Sequence, residues 1–209
     1  MTRVLCINIS GVSRDLYERL YAAACEARRV RADRYLRTED ALRCVTADAL
    51  LRYAVRQTLG ISSRITEYAA GGKPYLREAP QLHYNLSHSG DWVVIAFGET
   101  EVGIDVEKIT TATEKEAIAQ QFFTKEEQQY IFHHPQFASH RFFQVWTGKE
   151  SYLKFLGTGL RRTLDSFSIL SPAVAELLHS RILDGGYYLT VCSTEPYRTF
   201  EFLNAEQLI

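Results

Sequence analysis

Four cysteines (Cys6, Cys25, Cys44, Cys192) are spread through the 209 residues with no C-x-x-C pair among them, so neither a zinc site nor a thioredoxin-like redox motif is indicated. Reduced thiols in a cytoplasmic protein are expected. The opening "MTRVLCINIS" carries too short an apolar stretch for a signal peptide, and no run approaches the roughly 20 apolar residues of a membrane helix. A strong charge of either sign is also missing: 24 basic and 25 acidic residues balance, so nothing in the total argues for wholesale nucleic-acid or membrane binding. G-x-S-x-G is absent, so no nucleophile elbow is expected, and "GGKP" is no Walker A loop because Pro74 follows Lys73 where a Ser or Thr should open a helix.

Apolar residues make up 46% and aromatics 12%, ample for a core in one large domain or two small intimate ones. Charge is uneven along the chain. Residues 1–64 hold twelve Arg and seven acids, residues 165–209 two Arg and six acids, so the front is locally basic and suited to an anionic ligand or acidic partner. "RVLCINIS" reads as a strand, and helical spacing runs from Arg14 to Leu59 with a fresh start at "YLRTED", where Thr38 is the expected N-cap. "QLHYNLSH" and "DWVVIAF" read as strands divided by a turn at "SHSG", and "VGIDVEKI" as a third. Thr124 stands three residues before Glu127, a capping-box spacing. A second helix is expected from Ser139 to Leu156, then strands at "DSFSIL" and "YYLTVCS". The order aromatic, Thr cap, helix, Gly loop, strands occurs twice, so the expected fold class is α+β with two similar α/β halves, residues 1–108 and 109–209. Two independent helix caps would explain the repeat equally well.

Side chains alternate across a strand, so in "VGIDVEKI" Val102, Ile104 and Val106 face one way and Gly103, Asp105 and Glu107 the other. Gly103 leaves room beside both acids for a ligand or another backbone. A solvated outer face carrying two ordinary acids is the alternative. In "FFQVWTGKESYLKFLG", Glu150 lies on an apolar helical stripe with Phe143, Trp146, Leu153 and Lys154. Lys154 is one turn on, and a simple i,i+4 pair with Glu150 is the other reading. Gly148 in mid-helix points to something packed closely there. Three carboxylates in one cleft repel unless a metal sits between them, and hard oxygen ligands favour magnesium, which is usually shared with substrate phosphates.

Ser87, His88 and Ser89 of "SHSG" offer hydroxyls, an imidazole and backbone N–H groups to an anion, or form only a polar turn. Lys73 can hold a phosphate or sit exposed in its loop. Arg28 and Arg31 share a helix side, as do Arg34 and Arg37, so a phosphate clamp is available beside the alternative of a solvated basic face.

Taken in order, "GGKPYL", "YNLSHSGDWVVIAF", "VGIDVEKI", "FFTKEE" and "VWTGKESYLKFLGTGL" closely resemble the Sfp-type 4′-phosphopantetheinyl transferases. That resemblance runs from about residue 28 through "LDSFSI". It implies a pseudo-two-fold pair of halves with coenzyme A in the cleft between them and magnesium on Asp105, Glu107 and Glu150. It also implies phosphate contacts from Ser87 and His88, the adenine side at Lys73 and Pro74, and Lys154 on the diphosphate. Arg28 and Arg31, with Arg43 further on, stand where relatives bind the 3′-phosphate. The implied reaction moves phosphopantetheine from coenzyme A to a serine of an acyl, peptidyl or polyketide carrier protein, releasing 3′,5′-ADP. Asp105, Glu150 and Lys154 are the expected catalytic residues, with Glu150 the base, directly or through a metal-bound water. A monomer is implied. Two rival readings are a magnesium-dependent phosphohydrolase acting on coenzyme A or a nucleotide, and a non-catalytic module that holds a carrier domain.

Overall fold

The structure is a computed structural model that describes every residue except 62–65, 70, 71, 112, 113, 160, 161 and 196, and the side chains of 197 and 198. Gly71 of "GGKPYL", Leu160 of "GTGL" and part of the segment joining the expected halves therefore lie outside the described residues. The described residues form a mixed α+β fold of nine strands, seven α-helices and short 3-10 turns.

Strand β1 (Thr2–Asn8) is central to the first sheet. It pairs antiparallel with β5 (Trp92–Gly98), which in turn pairs with β4 (His83–Ser89). Helices α1 (Arg14–Ala23), α2 (Glu26–Ala32) and α3 (Thr38–Leu59) cover one face. Leu5 and Ile7 of β1 and Val93, Ile95 and Phe97 of β5 point into that helical layer, while Val4, Cys6, Val94 and Ala96 point the other way. Both faces of β1 and β5 are buried, which is why these strands are apolar at nearly every position instead of alternating.

The second sheet has the order β6 (Val102–Lys108), β8 (Tyr187–Ser193), β7 (Leu178–Leu183), all antiparallel. Val102, Ile104 and Val106 pack with Leu189 and Val191 against the open face of the first sheet. Helix α6 (Ala138–Leu156), joined by α4 (Lys115–Phe122) and α5 (Lys125–Phe132), covers the far side. The layers are thus helices, sheet, sheet, helices, and α3 and α6 are the long outer helices. A short hairpin, β2 (Thr66–Tyr68) with β3 (Pro74–Leu76), and α7 (Pro172–Ala175) complete the set.

Two strands lie across the expected division at 108/109. β6 precedes it yet ladders with β8, and β9 (Tyr197–Leu203) follows it yet joins the first sheet, parallel to β1. The 3-10 turn Ala205–Leu208 then seats Ala205 and Leu208 in the core under α3. The expected first helical run is three helices, and Arg37 rather than Thr38 is the N-cap of α3. "DSFSIL" is a 3-10 turn at Leu164–Ser166 followed by irregular chain. The capping box of Thr124 and Glu127 forms as expected, and Gly157, at φ +66°, closes α6 in the left-handed region that favours glycine. Among the described residues no helix is long and apolar enough to cross a membrane.

Candidate active site

β6 is an edge strand whose free edge faces β4. A free edge leaves alternate backbone N–H groups without partners; here side chains of β4 take them. Asn85 Oδ1 accepts from Ile104 N at 2.9 Å, Ser87 Oγ from Val106 N at 3.4 Å and Ser89 Oγ from Lys108 N at 3.3 Å. Both serines also donate to the carboxylate one residue back: Ser87 Oγ to Asp105 Oδ1 at 2.9 Å and Ser89 Oγ to Glu107 Oε2 at 2.8 Å. The period of two on β4 is matched to the period of two on β6. Ser87 to Ser89 are therefore strand residues, not a turn; the chain reverses at Gly90 and Asp91. The hydroxyl partners stand on β6, which is why the local sequence reads as a turn while the protein keeps it extended.

Gly103 faces α6. A Cβ there would stand 2.0 Å from the Ser151 carbonyl oxygen and 2.5 Å from Phe155 N, so the glycine admits another backbone and not a ligand. That close approach aims Lys154 across the strand, where its Nζ meets Asp105 Oδ1 at 2.6 Å, Ile104 O at 3.1 Å and Ser87 Oγ at 3.2 Å. Its ion pair is with Asp105, and the i,i+4 bond to Glu150 does not form among the described residues. Gly148 also answers to packing: a Cβ would lie 3.3 Å from Ile169 Cδ1 and 3.4 Å from Leu178 Cδ1.

The three acids share one cavity. About 510 Å³ in volume, it is walled by Asp105, Glu107, Glu150, Arg28, Arg31 and His88, with Ser87, Pro74 and Lys154 alongside. Burial pushes the Glu107 carboxyl above its ordinary value, and the neighbouring Asp105 charge pushes the same way. Glu150 is raised for the same two reasons, with Lys154 opposing. Partial burial of its ring lowers the pKa of His88, and the cations Arg43, Lys154 and Arg31 push it the same way. Arg28 lies 3.8 Å from buried Asp48, and Arg31 Nε donates to the Tyr35 hydroxyl at 3.3 Å.

Two of the expected ligand-binding residues also make bonds within the protein. Arg43 donates to Gly90 O at 2.7 Å and to Asp40 Oδ1 at 2.5 Å, so it holds the β4–β5 turn. Lys73 Nζ is spent on Glu101, Val102 O and Phe155 O. Pro74 instead sits where the first cavity meets a second of about 530 Å³, which shares Glu150 and Lys154 with it and is walled by Phe122, Leu153 and Leu164. Ser87 has one proton, given to Asp105, so it can donate to a phosphate only by surrendering that bond.

Sequence reasoning passed over Asn85, Ser89 as a partner of Glu107, and the pair Glu127–Lys149. The last is fully buried, at 2.8 Å. Lys149 also donates to Leu164 O at 2.7 Å and Phe167 O at 2.6 Å, and Glu127 Oε1 accepts from Ile169 N at 2.8 Å. The pair fastens residues 164–169, of which Leu164 and Asp165 wall the second cavity, to α5 and α6. The Lys just before Glu150 and the acid of the capping box were the available signals.

A divalent ion can be tested against these side chains. Asp105 Oδ2 is buried without a hydrogen-bond partner among the described residues, and the other donors are carboxylate oxygens suited to a hard cation. No three His, Cys, Asp or Glu side chains among the described residues are disposed as a complete cage. Magnesium asks for one or two carboxylates and takes its remaining oxygens from water and phosphates, so the donor set fits an ion shared with a substrate.

Residues 13–100 match the family model described as 4′-phosphopantetheinyl transferase, N-terminal, and residues 101–201 the model of the 4′-phosphopantetheinyl transferase superfamily. A 4′-phosphopantetheinyl transferase of Bacillus subtilis is 37% identical over 158 residues, 73% of this chain and 68% of that protein. The 4′-phosphopantetheinyl transferase psf-1 of Bacillus pumilus is 32% identical over 87% of this chain and 84% of its own length. The 4′-phosphopantetheinyl transferase Sfp of Bacillus subtilis strain 168 is 30% identical over 88% of each.

Proposed function

The chain belongs to the Sfp-type 4′-phosphopantetheinyl transferase family, and from that premise we propose how its site performs the transfer. It is a holo-[carrier protein] synthase that moves the 4′-phosphopantetheine group of coenzyme A onto a carrier protein. The observation that carries the site assignment is that arginines, Lys154 and three acids wall one cavity, a distribution suited to a nucleotide whose phosphates face cations and whose reacting phosphorus faces the acids.

In this reading Arg28 and Arg31 hold the 3′-phosphate and His88 a phosphate of the diphosphate. The second cavity, opening at Glu150 and Lys154, takes the extended uncharged arm. The carrier serine hydroxyl attacks the phosphorus on the pantetheine side. A new serine O–P bond forms, the P–O bond to the nucleotide breaks, and 3′,5′-ADP leaves with the bonding pair. The serine proton passes to the Glu150 carboxylate, directly or through a water. Lys154 sets a positive charge beside the leaving oxygens, and such fixed charge is the main source of rate in phosphoryl transfer. Asp105, Glu107 and Glu150 would hold magnesium, which when bound supplies further charge neutralisation on the phosphate oxygens. The two sheets, each backed by one long helix, support a pseudo-two-fold pair of halves with the site between them. A cytoplasmic monomer that binds neither nucleic acid nor membrane completes the proposal.

The test is mass spectrometry of purified apo-carriers incubated with coenzyme A and magnesium. A phosphopantetheine mass increase on one serine is expected. Release of 3′,5′-ADP with no carrier present would transfer the argument to hydrolysis, and unchanged transfer in EDTA would remove the metal.

A further inference from the structure

Ser89 is given no part in the transfer proposed above, yet its hydroxyl is committed at both ends. It accepts from Lys108 N at 3.3 Å and donates to Glu107 Oε2 at 2.8 Å. Glu107 receives no other side-chain hydrogen bond from the described residues, and it sits one residue before the end of β6. A carboxylate on a strand end with a free χ2 and χ3 sweeps a wide arc; one hydrogen bond from a neighbouring strand removes most of it. Because that hydroxyl is also tied to the backbone of the next residue, it references the carboxylate to the strand and not merely to solvent. The same bonding pattern two residues earlier, Ser87 on Asp105 and Val106 N, shows a repeated device. There Lys154 additionally donates to the hydroxyl, whereas Ser89 acts on Glu107 alone.

We infer that Ser89 is a positioning residue for divalent-ion binding: it holds the Glu107 carboxylate in register with Asp105, and does so without touching the nucleotide. This rests on the magnesium reading above. Ser89→Ala deletes the donor to Glu107 and, with it, the acceptor of Lys108 N, and loss of a hydrogen bond to a charged acceptor at a half-exposed site corresponds to about a tenfold change in affinity.

The experiment measures Mn²⁺ binding by electron paramagnetic resonance in the presence of 3′,5′-ADP, alongside calorimetric 3′,5′-ADP binding without metal. Ser89→Ala is expected to weaken Mn²⁺ about tenfold, Ser89→Thr to restore it to within about twofold, and both to bind metal-free 3′,5′-ADP as the parent does. In a Glu107→Ala background the Ser89→Ala effect should shrink below about twofold, because its acceptor is gone; general loosening of the strand would persist in that background, and a melting curve of each variant checks folding. Lost affinity for metal-free 3′,5′-ADP would mean Ser89 contacts the nucleotide, and an undiminished effect in the Glu107→Ala background would mean it acts elsewhere; either overturns the inference. A parent protein that binds no Mn²⁺ would remove the metal reading itself and this inference with it. A parent that binds while Ser89→Ala matches it removes this inference alone.

Discussion

Lys149→Met is the sharpest perturbation of the fold that walls the site. Both charges of the pair are fully buried, and all three ammonium protons are used, on Glu127, Leu164 O and Phe167 O. Methionine keeps the length of the side chain and its packing against Phe167, over which the ammonium sits 4.4 Å from the ring centroid. What is lost is the charge: Glu127 stays buried with its Thr124 and Ile169 donors but no counter-ion, and two carbonyl oxygens lose their donor. Breaking one side of such a pair costs about 3–5 kcal/mol. For a chain of this size each kcal/mol is worth about 2–4 °C in Tm, so a fall of about 6–20 °C is expected by calorimetry or circular dichroism. Adding Glu127→Gln should recover part of the loss, since the uncompensated charge goes with it. A single variant melting within about 2 °C of the parent would refute the claim that this pair carries the segment 164–169.

Glu150→Gln should leave coenzyme A binding within a few fold and lower transfer by about 10²–10⁴, the usual range for a general base; a turnover assay with one apo-carrier decides it. Glu107→Gln in the metal-free protein should raise Tm. Its carboxyl is held above the ordinary 4.5 in the folded state, so its ionisation destabilises the fold as pH rises through that raised value, and the advantage of Gln should close as pH falls below 4.5. Gly103→Ala forces a Cβ onto the Ser151 carbonyl and should cost at least about 1–3 kcal/mol by overpacking, visible as a lower urea midpoint with transfer reduced because α6 no longer brings Lys154 to Asp105. Arg31→Ala should weaken coenzyme A binding and flatten its salt dependence, while leaving 3′-dephospho-coenzyme A affinity nearly unchanged; equal losses for both ligands would displace the 3′-phosphate from Arg31.

The parts of the site that sequence made legible are those governed by short periods. Alternation on β6 separates Val102, Ile104 and Val106 from Asp105 and Glu107, as found, and the Thr124 capping box needs only three residues of context. Glu150 shares the stripe of α6 with Lys154, but spacing does not say which acid Lys154 chooses. Asp105 wins because Gly103 lets the helix lie directly on the strand. "SHSG" reads as a turn because its partners are the backbone and acids of another strand. "DSFSIL" reads as a strand, yet the carbonyls of Leu164 and Phe167 are taken by Lys149, and no neighbouring strand among the described residues pairs with it. β9 was invisible for a similar reason: its place beside β1 depends on residues nearly two hundred positions away.

That last pairing reaches beyond statics. Thr2 is matched with Tyr197, and Thr2 Oγ1 lies 2.8 Å from Ser193 Oγ across a sequence separation of 191, so during synthesis β1 waits for one of its two neighbours until the chain between them has been made. Contacts of such separation slow folding, and a nascent chain must meanwhile shield the bare flank of β1. Severing the polypeptide at 108/109 would therefore yield fragments that each lack a strand the other carries, β9 in one case and β6 in the other, and activity should return only when both are mixed.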